Sequence, residues 1–119
     1  MNKCADLKYQ SEYGINGGQM IVVQNQIPVK NEYREKFENA FLNRDKSVDK
    51  FPGFVKNEIL RPVKGDYYII MTYWESIEDF NKWVESEEFR KSHENIDGNM
   101  FSGKNIFTIH EVIDSTENI

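Results

Sequence analysis

The sequence predicts an α+β domain whose elements run in the order β-α-β-β-α-β. Four stretches rich in β-branched and aromatic residues, MIVVQNQI, FVKNEILR, YYIIMTYW and NIFTIHEVI, read as strands. Two stretches with apolar residues at three- and four-residue steps separate the first strand from the second and the third from the fourth. Only the turn sequence PVKGD lies between the second and third strands, which makes that pair a hairpin. Elements in this order build an antiparallel sheet of four strands with the helices on one face, the ferredoxin-like plan.

Residues 1–19 are polar and close on Gly14, Gly17 and Gly18, so they read as a flexible extension ahead of a domain spanning 20–119. Tyr9 and Tyr13 keep a docked extra strand as the alternative. Pro28 suits the end of the first strand because proline has no N–H for the ladder. Asn31 is placed to cap a helix carrying Tyr33, Phe37, Ala40, Phe41, Arg44 and Val48 on one stripe, and this helix is expected to run to about Lys50, before Pro52 and Gly53. Ser76 is placed to cap a helix with Phe80 and Trp83 on one side. Ser86 can restart a short one, with Glu87 and Glu88 at its positive end and Arg90 and Lys91 at its negative end. The sheet face away from the helices stays uncovered in this plan. An exposed apolar sheet face favours burial against a second copy, so a homodimer is expected.

At 119 residues the chain is long enough to bury roughly 60 to 70% of its unfolded surface. It carries 15 Lys and Arg against 20 Asp and Glu, a formal charge of −5, and this balance lacks the basic character that attracts nucleic acid or anionic membrane. Its one cysteine, Cys4, forms no internal disulfide, which suits a reducing compartment. No apolar run reaches membrane-spanning length, and MNKCADLKYQ lacks the apolar core of a signal peptide. A cytoplasmic location is the default expectation. No repeat, zinc-ligand spacing, phosphate-binding loop or obvious catalytic triad is present.

Few residues look chosen for chemistry. Alternation puts Ile21, Val23, Asn25 and Ile27 on one face of the first strand, where Asn25 interrupts an apolar row. A buried amide without partners costs about 1 to 3 kcal/mol, so Asn25 is met by a neighbouring strand or loop, by water or by a ligand. Trp83, three residues after Phe80, has the spacing of an ordinary core residue. His93 follows a short helix, where a solvated histidine is unremarkable and the negative helix end favours the imidazolium. His110 shares a strand face with Ile106, Thr108 and Val112 and reads as structural. Arg90 and Lys91 read as surface charges, or as partners for an anionic ligand at His93.

Taken together, MIVVQN and FPGFVKNEILRPVKGDYYIIMTYWESIEDFNKWVESEEFRKSH resemble the small haem-degrading monooxygenases of the IsdG and MhuD type, within the antibiotic biosynthesis monooxygenase superfamily. The resemblance covers Met20 to Val112. It rests on the Asn near the end of the first strand, the PGF turn, LRPVKG, TYWES, and the helical Trp followed by His. The resemblance implies a dimeric α/β-barrel and a catalytic trio of Asn25, Trp83 and His93. His93 is then the axial ligand of haem iron, Trp83 the indole that presses the porphyrin out of plane, and Asn25 the amide that hydrogen-bonds the iron-bound distal ligand.

In that family haem is both cofactor and substrate, and dioxygen with electrons from an external donor, such as a reductase, opens the ring and releases iron. Two features differ from the family pattern. The segment after His93, ENIDGNMFSGK, is short, with Met100 and Phe101 as its only large apolar residues. Acidic residues surround the site, with Arg90, Lys91 and Lys104 to offset them. The first helix contributes no residue by resemblance. Two other classes remain: a cofactor-independent monooxygenase of the same superfamily acting on an aromatic or quinol substrate, and a non-catalytic haem-binding carrier or sensor that keeps His93.

Overall fold

The computed structural model describes residues 20–44, 46–92 and 98–116. The stretch 1–19 and His93 both lie outside the described residues. The elements are β1 (Ile21–Pro28), α1 (Arg34–Leu42), β2 (Phe54–Leu60), β3 (Tyr67–Trp74), α2 (Ile77–Val84), α3 (Glu87–Ser92) and β4 (Ile106–Glu111). The strands form one antiparallel sheet in the order β2-β3-β1-β4, the α+β arrangement expected from the sequence.

The first helix departs from the expected Asn31–Lys50 run. It opens as a 3-10 turn over Asn31–Tyr33, with no side-chain cap from Asn31, and the α-helical part stops at Leu42. The stop has a local cause. Asn43 Nδ2 joins its own N–H on the Asn39 carbonyl, at 2.9 and 3.1 Å, and Arg44 turns both its N–H, at 3.3 Å, and its Nη1, at 2.8 Å, onto the Phe41 carbonyl, so at Arg44 the helical bond to the fourth residue back gives way to a tighter, side-chain-reinforced turn. A separate 3-10 turn over Ser47–Lys50 then leads to Phe51.

The later helices start where their serines predict. Ser76 Oγ accepts from the Asp79 N–H at 3.2 Å and donates to the Asp79 carboxylate at 2.9 Å. Ser86 Oγ accepts from the Phe89 N–H at 3.1 Å and donates to the Trp83 carbonyl at 2.6 Å, closing α2 and opening α3 with one hydroxyl. The PGF turn needs its glycine: Gly53 has φ +87°, and a Cβ there would stand 2.3 Å from the Asp79 carboxyl. That turn is therefore pressed against the capped start of α2.

Register decides which side chains meet the helices. On β1 the row Ile21, Val23, Asn25 and Ile27 is opposed on β3 by Trp74, Thr72, Ile70 and Tyr68. On β2 the pairing advances by two residues, Phe54 to Lys56, against one on β3, so Val55 is the extra residue of a bulge. The bulge reverses the alternation. Phe54 faces the helices, and so do Asn57 and Ile59, which a regular strand would have turned away.

The core on this face is in two parts. Under α2 and α3, an aromatic cluster joins Ile21, Val23 and Trp74 to Phe80, Trp83 and Phe89. Under α1, a second cluster joins Ile27, Val29 and Tyr68 to Phe37 and Met100. The opposite face carries Val22, Gln24 and Gln26 with Tyr73, Met71 and Ile69 and with His110, Thr108 and Ile106.

Candidate active site

Between the two clusters the sheet is only partly covered. The row Ile59, Ile70, Asn25 and Phe107 crosses β2, β3, β1 and β4, and all four residues are half-buried, whereas Ile21 and Trp74 to one side and Ile27 and Tyr68 to the other are buried. Asn25 is the polar member of that row. Its Oδ1 is sealed from solvent and has no hydrogen-bond partner among the described residues. Such an oxygen calls for a partner from water or a ligand, as do Arg34 Nε, Trp74 Nε1 and Thr108 Oγ1, because native interiors satisfy nearly all buried polar atoms.

One bank of this band is the aromatic cluster. Trp83 is 8% exposed and is held by three rings. Phe51 meets it edge-on at 5.3 Å between centroids, Phe89 at 5.7 Å with an interplanar angle of 89°, and Trp74 stacks at 6.3 Å and 29°. An indole clamped on several sides has little freedom to yield to a body pressed against its remaining edge. The structure thus places Trp83 in the core, as its spacing alone predicted, while setting it in the bank beside the row of Asn25.

The other bank is fixed by charge. The Tyr68 hydroxyl donates to Glu38 on α1, and Arg61 reaches the same carboxylate through Nε at 2.7 Å and through Nη2. The Arg61 hydrogen bond first, and then that of Tyr68, holds the Glu38 carboxyl at about 2 against an ordinary 4.5. Burial, and then the bond to Glu38, pushes the Tyr68 hydroxyl upward. Arg34 adds a second tie, donating to the Gly65 carbonyl at 3.2 Å. Helix α1 is thereby bound to the β2–β3 hairpin, and the width of the band is set from both sides.

Of the trio, the structure brings Asn25 and Trp83 to the same side of the sheet. His93 lies outside the described residues, directly after α3, whose last residue Ser92 donates to the Phe89 carbonyl at 2.8 Å. Of the flanking cations, Arg90 pairs with Glu87 on α3, and Lys91 and Lys104 are exposed. His110 lies exposed in the row of Val22 and Tyr73, on the face away from the helices. Among the described residues no helix is long and apolar enough to cross a membrane.

Sequence reasoning passed over Asn57, which sits half-buried opposite Thr72 on the helix-facing side. Strict alternation from Phe54 turns it outward, and only the bulge at Val55 brings it in.

Comparison with known proteins agrees with this architecture. Residues 20–95 match the family model described as antibiotic biosynthesis monooxygenase. A haem oxygenase (staphylobilin-producing) of Staphylococcus haemolyticus is 34% identical over 82 residues, which span 66% of this chain and 77% of that protein. A haem oxygenase (mycobilin-producing) of Mycobacterium tuberculosis is 38% identical over 65 residues, 54% of this chain and 62% of that protein. The structure of the haem degrader MhuD from M. tuberculosis, with two haems bound in its active site, superposes with a TM-score of 0.70 at 28% identity. The superposition covers 82% of this chain and 99% of that one. With a helix-faced antiparallel sheet, an aromatic bank and a matched stretch that includes both Asn25 and Trp83, the chain belongs to the antibiotic biosynthesis monooxygenase family, where it is similar to the IsdG- and MhuD-type members.

Proposed function

We propose that this protein is a haem-degrading monooxygenase that opens the porphyrin ring oxidatively and releases iron. The observation that carries this reading is Asn25, the one amide in a half-buried apolar row that crosses the helix-facing side of the sheet between two rigid banks. A planar apolar molecule suits a half-buried floor of Ile59, Ile70 and Phe107, and one polar handle within it suits a small iron-bound ligand. The named haem oxygenases among its relatives and the haem-bound neighbour support the same substrate.

Haem, when bound, supplies the redox-active iron at which dioxygen is activated and is itself the molecule cleaved. The chain's own residues do three things in this reading. Asn25 would offer its NH2 end as a hydrogen-bond donor to a small molecule held at the iron, and an amide is too weak a ligand to compete for the metal. Trp83, braced by Phe51, Trp74 and Phe89, is the wall that resists a flat macrocycle and bends it. His93 would hold the haem iron, a role that needs the neutral imidazole. Electrons come from an external donor, for which a reductase is the natural partner, and a cytoplasmic setting belongs to the same reading.

A homodimer completes it. The face away from the helices leaves Leu60, Tyr67 and Ile106 at 40, 40 and 46% exposure around Met71 and Ile69, and Thr108 Oγ1 on that face is sealed without a partner among the described residues. A second copy packed face to face would cover this surface. Light scattering should give twice the chain mass, and a monomeric mass at all working concentrations would remove the dimer from the proposal.

The test of function is optical. Haemin added to the purified chain should give a saturable Soret band that is lost or strongly altered in His93→Ala. No saturable band in the wild type overturns the haem reading. Under air with ascorbate and catalase, loss of that band in the wild type, slowed in Asn25→Ala, marks an enzyme. A spectrum that persists unchanged would mark a haem carrier or sensor instead.

A further inference from the structure

The half-buried floor continues one row beyond Asn25, towards Trp74. That row runs Asn57, Thr72, Val23 and Ile109 across β2, β3, β1 and β4, and Asn57 and Thr72 stay half-buried where Val23 is buried. The two polar side chains touch, with the Asn57 amide 3.2 Å from Thr72 Oγ1.

The direction of this hydrogen bond decides what Thr72 can do. With the Asn57 oxygen towards Thr72, that oxygen also faces the Met71 carbonyl, acceptor against acceptor, and the NH2 end faces the Arg44 guanidinium, donor against donor. Turned the other way, the amide satisfies all three neighbours. Nδ2 then donates to Thr72 Oγ1 at 3.2 Å and to the Met71 carbonyl at 3.0 Å, and Oδ1 accepts from Arg44 Nη2 at 3.2 Å. Both N–H bonds of the amide are now engaged and its oxygen is held on the far side. Asn57 therefore gives Thr72 a donor and takes nothing back, and the Thr72 hydroxyl proton has no acceptor among the described residues.

A free hydroxyl at this place adjoins Asn25. Thr72 is opposite Val23 and Asn25 is opposite Ile70, so the two are diagonal neighbours on adjacent strands, about 7 to 8 Å apart at the backbone. Side chains reaching in from that separation can each donate, over about 2.8 Å, to one small ligand between them. Threonine suits the position, since its branched Cβ fits a strand and its hydroxyl donates without burying a charge.

We propose that Thr72 is a second hydrogen-bond donor, beside Asn25, to the small ligand held at the haem iron, and that Asn57 is a positioning residue that keeps the Thr72 hydroxyl turned into the site. The proposal rests on the haem reading above. It makes the site selective for iron ligands that accept hydrogen bonds.

The test loads the full chain with haemin and titrates it with fluoride, a small anion that binds ferric iron and accepts hydrogen bonds, following the visible spectrum. Thr72→Val keeps the shape and removes the hydroxyl. It should weaken fluoride binding about three- to tenfold, as for the loss of one hydrogen bond, and leave haemin affinity nearly unchanged. Thr72→Ser should restore fluoride binding. Asn57→Asp, of the same size, presents an acceptor to Thr72 and draws the hydroxyl away from the site, so it should weaken fluoride binding in the wild-type background and much less in Thr72→Val. Fluoride affinity unmoved by Thr72→Val, or not recovered in Thr72→Ser, overturns the donor role while haemin binding stands. An Asn57→Asp effect of equal size with and without the Thr72 hydroxyl is an effect of charge alone and overturns the positioning role. Wild-type protein that binds no haemin overturns the haem reading, and this donor with it.

Discussion

Replacing Asn25 by leucine separates what the residue does for the fold from what it does for the site. Its Oδ1 is sealed without a partner among the described residues, and the neighbours across the ladder are Ile70 on β3 and Phe107 on β4. An unsatisfied buried acceptor costs about 1 to 3 kcal/mol, and leucine has a similar size, an apolar surface and no acceptor to strand. Part of that gain is offset, because leucine at a half-buried position leaves apolar surface in water. A stabilisation of about 1 to 2 kcal/mol is the outcome to expect, and at roughly 4 to 8 °C per kcal/mol for a small domain this raises Tm by about 4 to 16 °C. Haem degradation should fall at the same time, since leucine offers no hydrogen bond to a distal ligand.

Urea or thermal unfolding of the ligand-free protein, followed by circular dichroism, measures the first effect, and haem consumption under ascorbate measures the second. The reasoning fails if Asn25→Leu is less stable than the wild type. It fails equally if the variant is more stable but turns haem over at the wild-type rate, because Asn25 would then be a defect without a use. A gain in stability coupled to a loss of turnover is the trade-off expected of a residue kept for its site.

Two more perturbations probe the banks. Gly53→Ala should destabilise by about 2 to 4 kcal/mol, combining the strain of a left-handed φ with displacement of Asp79 from the Ser76 cap. Gly65→Ala, with φ +95° and open space around its Cβ, should cost only the backbone strain of about 1 to 2 kcal/mol, and equal losses in urea titrations would contradict this account. Glu38 titrates at about 2 in the folded chain against an ordinary 4.5, so between these values the unfolded chain binds the extra proton; its contribution is complete above about pH 4.5 and is lost as pH falls through about 2. Stability measured from pH 6 to 2 should therefore fall more steeply in the wild type than in Glu38→Gln, and parallel curves would show that the Arg61 and Tyr68 contacts leave the carboxyl unperturbed.

What was legible in the sequence follows from how local each cause is. YYIIMTYW maps onto β3 residue for residue because alternation and β-branching act within the strand. Ser76 and Ser86 were legible as helix starts because a capping hydroxyl bonds to an N–H three residues away. The end of α1 was not legible. Pro52 and Gly53 advertise a stop, but the helix had already ended at Leu42, where Asn43 and Arg44 fold back onto its carbonyls. Asn57 escaped for a different reason: the bulge at Val55 exists only in the pairing of β2 with β3, and no pattern within β2 announces it. Asn25 was visible as a polar interruption, while the lack of a partner for its Oδ1 among the described residues depends on what Ile70 and Phe107 place around it.

The division of the core gives these separate causes a common consequence. Filling the middle band would bury more apolar surface and stabilise a chain of this size, yet Ile59, Ile70, Asn25 and Phe107 are left half-buried between two tightly made ends. The ends differ in chemistry. One relies on ring contacts around Trp74 and Trp83, which tolerate no rearrangement without loss of packing, and the other on Glu38, Arg61 and Tyr68, whose directional bonds fix α1 at a set distance. A floor bounded in this way does not collapse when empty, because closing it would break one bank or the other. A flat ligand that enters therefore recovers burial the fold has forgone without first paying to open a site, which is the condition for binding a large apolar molecule tightly with few polar contacts.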